Sequence, residues 1–313
     1  IELEDSGKLL LSAAGDRYFS ALRRPQRNIN IRAAGWQVSI ELEGGGAHLG
    51  SISGHAKCAE CHPGAIYLHR GEQYLVKELD LETRRVLVSK TQVNHYTNAL
   101  FEKETEILEE LDTKKLTAGS VMLARLKVTE QLVGYQKRHN GSQELISQHE
   151  LNYPPIIFET VGLAISIPKE AANPSIAEGL HFRGGIHGVE HALLALAPLF
   201  AICDRNDMGG YSQVSHPQLG GPAVFLYDGY AGGIGLSKRL FEVFADLLER
   251  THGLVSQCEC LTGCPSCIQS PKCGHGNNPL DKAAAVMTFE ILLGLKKLET
   301  VVAEPMSNTK KLA

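Results

Sequence analysis

The 313-residue sequence is short of several things, and each absence narrows what it does. Basic charge is not in excess: 31 Lys and Arg stand against 35 Asp and Glu, a formal net charge of −4. Overall electrostatics therefore give no support to nucleic-acid binding, so such a role has to rest on local patches. No apolar run approaches the roughly 20 residues a membrane span needs, so no membrane partner is expected. The opening IELEDSGKLL is acidic and polar, unlike a secretory leader. A cytoplasmic, reducing location is expected. No Gly-Lys-Ser/Thr P-loop occurs, so the chain carries no nucleotide-hydrolysing apparatus and no complete catalytic site of its own. Internal repeats and low-complexity segments are also missing. The chain lacks an initiator Met and starts in the middle of a pattern, which leads us to expect a piece of a longer protein.

What is there reads as about two domains, by the usual size of roughly 100–200 residues each. Near the start, DRYFSALRR predicts a short helix. Arg17, Arg23, Arg24, Arg27 and Arg32 cluster there with Tyr18 and Phe19. Such a cluster either grips phosphates or is a solvated helix face with two core aromatics. Residues 36–167 alternate apolar and polar positions in short runs with polar turns, at 70–72 and 80–83 among others, as in an antiparallel barrel or sandwich. LFEKETEILEELDTKKL fits an exposed strand or a helix equally well. Pro154, Pro155, Pro168 and Pro174 punctuate the exit from this region. Helical periodicity then takes over in VEHALLALAPLFAICDR, with Pro198 expected to end or kink it. It continues in IGLSKRLFEVFADLLERTHGL, with Gly253 a plausible stop, and in LDKAAAVMTFEILLGLKKLE.

Five of the eight cysteines fall in one stretch, CECLTGCPSCIQSPKC. Cys260, Cys264, Cys267 and Cys273 form C-x3-C-x2-C-x5-C, and Gly263, Pro265 and Gly274 allow the tight turns that aim sulfurs inward. Four thiolates can converge on one Zn²⁺ at about 2.3 Å each and fill its shell, which makes the site structural. A four-cysteine iron–sulfur cluster is the rival, separable by its visible absorption; reduced thiols without metal are the bland alternative. Cys258 is spare and could replace Cys260. Cys58 and Cys61, with His55 and His62 nearby, offer a weaker metal signal.

Other motifs carry chemistry less specifically. His187, Glu190 and His191 form H-x-x-E-H, in which two histidines on one helix face could chelate zinc beside a glutamate base. The alternative is a buried polar helix face whose members satisfy each other. In YDGYAGGIGLSKR, Gly229, Gly232, Gly233 and Gly235 lie between a strand and a helix start, where N–H groups can bind a DNA phosphate or simply make a tight turn. Asp204, Arg205 and Asp207 in CDRNDMGGYS suit acid–base or cation chemistry, or a capped helix exit.

Taken together, HPGAIYLHRGEQYLVKELD, GGIHGVEHALLALAPLFAICDRNDMGG, FLYDGYAGGIG and CLTGCPSCIQSPKCGHGNNPLDKAAA resemble the C-terminal region of MrfA-type (YprA-type) superfamily 2 DNA helicases, over residues 36–300 or so. The resemblance implies an α+β fold: residues 1–35 ending a winged-helix-like segment, an antiparallel β-rich, barrel-like module at 36–170, and a helical, four-cysteine zinc-binding module at 171–313. It carries the family's zinc ligands onto Cys260, Cys264, Cys267 and Cys273 and makes HGVEHA part of the scaffold. It implies an accessory region of an ATP-dependent DNA repair helicase, binding or guiding single-stranded or forked DNA and bracing the N-terminal motor domains. ATP and Mg²⁺ then belong only to those motor domains. Tyr67, Tyr74, Arg84, Arg85 and the N-terminal arginines are unranked candidates for DNA contact. The alternative is a protein-docking scaffold, for example in a phage-defence complex, that does not touch DNA; the mild acidity favours it.

Overall fold

Alternating burial builds the first part of the chain. The computed structural model describes residues 9–12, 14–21, 37–45, 48–53, 60–271 and 273–298. β1 (Leu9–Leu11) and β2 (Tyr18–Ser20) form a small antiparallel hairpin, with Leu9 opposite Ser20 and Leu11 opposite Tyr18. Cross-strand pairing thus displaces the expected helix at its first residues; residues 22–24 lie outside the described residues, as do Arg27 and Arg32. Five strands follow: β3 (Gln37–Leu42), β4 (His48–Ser53), β5 (Ile66–His69), β6 (Glu72–Asp80) and β7 (Arg85–Thr91). They form one sheet in the order β4-β3-β7-β6-β5. Val38, Ile40, Val76, Val86 and Val88 point into its core. All its pairings are antiparallel except β3 with β7, which is parallel. The predicted turns are where the sequence puts them. Arg70 and Gly71 both take positive φ, and the Asp80 carboxylate accepts the Glu82 and Thr83 N–H groups at 2.8 and 3.0 Å.

A second sheet starts with a long hairpin, β8 (His95–Lys115) and β9 (Ser120–His139). The ambiguous acidic segment is therefore strand. β10 (Leu145–Glu150), β11 (Ile156–Ser166), β12 (Met208–His216) and β13 (Gly221–Asp228) complete an antiparallel order β10-β9-β11-β13-β12, with β8 on β9. β8 swings back toward the far edge. Gln218 exchanges two hydrogen bonds with the Ile107 backbone at 2.7 and 2.8 Å, and His216 Nε2 lies 3.0 Å from Thr105 O. The result is a nearly closed barrel filled by Ala124, Leu126, Val128, Ala164, Phe225 and Tyr227. Inside it, Glu130 accepts from Tyr227 Oη at 2.7 Å and pairs with Lys103 at 3.2 Å. Burial opposes the Lys103 charge, yet Tyr227 and Glu130 outweigh it and hold this lysine above its usual range.

The outer face of the same sheet offers Leu123, Leu163, Ile165, Val224 and Leu226 to a layer of helices. These are α1 (Ala172–Ala177), α2 (Phe182–Phe200), α3 (Leu236–Glu242), α4 (Phe244–Gln257) and α5 (Lys282–Leu293). Every residue of β13 is buried, because both of its faces are covered. The expected boundary near residue 170 falls between strands of this one sheet. β11 pairs with β13 from Gly162↔Tyr227 to Ser166↔Ala223, so strands on either side of that point share one sheet. The chain forms two compact units, residues 1–93 and 94–313. The helices bury their apolar faces against this sheet, which holds residues 94–313 together.

Smaller expectations also shift. Pro198 sits inside the last turn of α2, which ends two residues later. The long helix predicted after Gly235 breaks at Val243 into α3 and α4, and α4 passes through Gly253. The packing of α2 on α5 depends on small residues. A Cβ on Gly185 would stand 2.6 Å from Ala284 Cβ, and one on Gly188 3.1 Å from Ala285 Cβ. Asp281 starts α5 by accepting from Ala284 N at 3.0 Å, and its other oxygen accepts from His181 N at 2.7 Å, tying the two helix starts together.

Candidate metal centre

Helix α4 ends at Gln257 and α5 begins at Lys282, so the cysteine segment is the connection between two helices of one layer. It turns sharply at Gly263, whose φ of 114° and closeness to Ile268 leave no room for a side chain. The turn gathers four sulfurs. Cys258 and Cys260 stand 3.5 Å apart, Cys258 and Cys264 3.6 Å, Cys260 and Cys267 3.5 Å, and Cys264 and Cys267 3.7 Å. Four sulfurs at the corners of a tetrahedron about 2.3 Å from a Zn²⁺ are about 3.8 Å apart. The donor set and its spacing fit that ion. The Cys264 N–H donates to Cys267 Sγ at 3.3 Å, which supports a thiolate there. The four thiols are electrostatically unequal. A backbone N–H at Ser266, helped by Cys258, lowers Cys264 to about 7, whereas burial pushes Cys267 up to about 12. A cation relieves that mutual opposition by stabilising all four as thiolates.

Lys282 supplies a charge beside this group. The ammonium of this largely buried residue donates to Cys258 O and, at 2.6 Å, to Cys260 O. A positive charge one peptide away from the sulfurs suits the net negative charge of four thiolates on a divalent ion. Nothing in the sequence pattern singles out this lysine.

The expected ligand set differs from this group at one position. The structure brings Cys260, Cys264 and Cys267 together with Cys258 as the fourth sulfur, and places Cys273 outside this group. Cys273 is drawn away by the histidines of α2, with its Sγ 3.3 Å from His187 Nε2. Burial disfavours the Cys273 thiolate, but hydrogen bonds from His187, His191 and His275 outweigh it and hold this cysteine at about 3. Burial likewise disfavours charge on His187, and its contacts with Cys273 and Glu190 raise it to about 9 instead. The zinc-hydrolase arrangement suggested by H-x-x-E-H is not formed. The Glu190 carboxylate lies against Gly210 of β12, where a Cβ would stand 2.8 Å from Oε1.

The glycine-rich turn after β13 is also settled by geometry. The buried Asp228 carboxylate accepts from Ile234 N at 2.6 Å, Gly235 N at 2.8 Å, Leu236 N at 3.2 Å and Ser237 N at 2.7 Å. An internal anion thus takes the N–H groups that a phosphate would need. Asp204 and Asp207 form a reciprocal cap on a short 3-10 turn, the bland reading of that motif. Among the other sequence candidates, Tyr74 is buried and donates to Glu72 at 2.8 Å, and Arg85 pairs with Glu41 at 2.9 Å. Tyr67 stacks on His69. Cys61 and His62 are buried, and their expected companions Cys58 and His55 lie outside the described residues.

Comparison with known proteins agrees with this geometry. The MrfA Zn-binding domain family matches residues 189–268. The ATP-dependent helicase YprA of Bacillus subtilis is 30% identical over 264 residues, which are 83% of this chain and 35% of that helicase. The ATP-dependent helicase HRQ1 of Saccharomyces cerevisiae is 27% identical over 245 residues, 74% of this chain and 23% of that helicase. A crystal structure of the DUF1998 helicase MrfA bound to DNA superposes with a TM-score of 0.53 at 26% identity, covering 92% of this chain and 38% of that one. The chain therefore spans between 23% and 38% of the length of these relatives. On the shared zinc-binding module and the sheet beneath it, this chain carries a MrfA Zn-binding domain and is homologous to the C-terminal part of the YprA and HRQ1 helicases.

Proposed function

We propose that this chain is an accessory region of an ATP-dependent DNA repair helicase. In this reading Cys258, Cys260, Cys264 and Cys267 hold a structural Zn²⁺ that locks the connection between α4 and α5. The helical layer and the barrel beneath it then brace the motor domains and guide single-stranded or forked DNA. The observation that carries the reading is the four-sulfur group inside the matched Zn-binding domain, with Lys282 as its counter-charge. When bound, the ion supplies a covalent-like cross-link and no open coordination position, since four thiolates fill its shell. ATP and Mg²⁺ are used by the motor domains alone. The DNA role is supported by the solved relative, which was crystallised on DNA.

Three measurements test this. Purified chain is expected to retain zinc, and to lose it when Cys258 is replaced by Ser. It is also expected to bind labelled single-stranded or forked DNA, with affinity falling at least about tenfold between roughly 50 and 200 mM salt. Zinc-loaded chain that fails to shift either DNA at the lower salt removes DNA guiding from this region. In cells, the Cys258→Ser form of the complete helicase is expected to leave DNA cross-linking agents more toxic; unchanged survival would separate the region from repair.

One observation favours docking without DNA. β8 presents Glu102, Glu104, Glu106, Glu109, Glu110 and Asp112, all exposed, which repels a polyanion and suits a basic protein surface. Under that reading, Glu104→Lys with Glu110→Lys weakens association with the motor domains and leaves DNA affinity of the complete protein unchanged.

A further inference from the structure

The zinc-binding module contains a second group of metal-ligating side chains, outside the four thiols. His187 Nε2, Cys273 Sγ and a ring nitrogen of His275 all lie within 4.8 Å of one another. His187 comes from α2, whereas Cys273 and His275 come from the connection before α5.

The histidine on the helix is prepared for coordination. Its Nδ1 lies 2.8 Å from Pro279 O. A carbonyl oxygen only accepts, so Nδ1 carries a proton and Nε2 is the nitrogen that faces Cys273 Sγ, 3.3 Å away, where a metal ion would take the place of the Nε2 proton. An imidazole whose second nitrogen donates to a backbone carbonyl is the usual outer-shell arrangement of a metal-binding histidine. His191, one turn further along, is held in the same way, with Nδ1 2.8 Å from Ile268 O, and its ring packs against His187 at 4.3 Å. The His275 ring meets the His187 ring edge-on, at 6.0 Å and 85°, so the two are not stacked.

The loop that brings Cys273 and His275 into place is itself fixed. Asn277 takes a positive φ and its side chain staples the turn, accepting from Ser270 N and donating to Ser270 O, both at 2.8 Å. Cys273 and His187 are buried, and His275 closes the group at the surface. A solvent-facing third donor provides an entry path and leaves a fourth position open to water.

From this we infer that His187, Cys273 and His275 form a second transition-metal site, of mixed nitrogen and sulfur donors, separate from the four-thiol group. Two imidazoles and one thiolate form a borderline-soft set, which selects Zn²⁺ over Mg²⁺ or Ca²⁺. The ion would tie α2 to the connection between α4 and α5, so two sites would clamp that connection at its beginning and its end.

The test is metal stoichiometry on the full chain, purified without chelator and dialysed against metal-free buffer. The wild type is expected to hold a second equivalent of zinc beyond the four-thiol ion. His275→Ala removes an exposed side chain and so leaves the fold intact, as circular dichroism checks; it is expected to lose that second equivalent alone. After exchange to Co²⁺, the wild type should show two sets of visible bands, and the variant only the set of an all-sulfur site. A single equivalent in the wild type overturns the proposal and leaves Cys273 as the partner of a histidine cation. Two equivalents retained in both His275→Ala and Cys273→Ser also overturn it, because the second ion then sits elsewhere.

Discussion

The four-thiol group and the His187–Cys273–His275 group belong to one module but are assembled in opposite ways. The first takes all its donors from residues 258–267, so a short loop with one glycine turn is enough to bring them together. The second spans 86 residues between His187 and Cys273 and exists only because α2 lies close against α5. The loop group therefore depends on its ion, and the other on helix packing. Cysteine spacing thus identifies a local site well and a tertiary one hardly at all.

Breaking the first group should cost most. Cys264→Ser removes a donor from a structural site of a kind that is worth about 10–16 kcal/mol in small zinc domains, so at least about 3 kcal/mol of stability should go. Loss of zinc by elemental analysis and rapid proteolysis between 258 and 281 would show it; an unchanged thermal midpoint would mean the sulfurs carry no load. Gly185→Ala aims at the second group. Its Cβ must displace Ala284, which is expected to cost about 1–3 kcal/mol in thermal or urea unfolding. The four-thiol zinc should survive this change, and if it leaves as well, the two groups are not independent.

Two milder changes probe the same contrast. Lys282→Met deletes the counter-charge at the Cys258 and Cys260 carbonyls and should weaken zinc about tenfold in competition with a chelator, with the fold retained. Equal zinc affinity would reduce Lys282 to a packing residue. Asn277→Ala removes the staple to Ser270 and should cost about 1 kcal/mol. Its effect belongs to Cys273 and His275, so thiol reactivity of Cys273 should rise while that of the other four stays low.

Much of the first sheet was legible because its physics is local. Val38 and Ile40 alternate with polar neighbours, and Arg70–Gly71 and Asp80 announce their turns. The α+β class and the barrel-like sheet followed from the same patterns and from the family resemblance. β8 resisted, since acidic residues on an exposed strand mimic the periodicity of a solvated helix. The continuity of the sheet past Pro168 was hidden as well, because β11 meets β13 across about sixty residues of helix and turn, and no local pattern encodes that pairing. In the cysteine segment, spacing put Cys273 in the set and admitted Cys258 only as a replacement for Cys260. The deciding contact, the His187 ring at Cys273, is invisible until α2 is in place.

β13 carries one more consequence. With side chains filling the barrel on one side and helices seated on the other, it is a party wall, and neither room stands without it. A cut that keeps residues 94–166 would leave the barrel missing two staves, and one that keeps residues 171–298 would leave the helices facing water along the strip where β9 and β11 once lay. The shortest piece expected to melt in a single cooperative step therefore begins near residue 94 and includes α5.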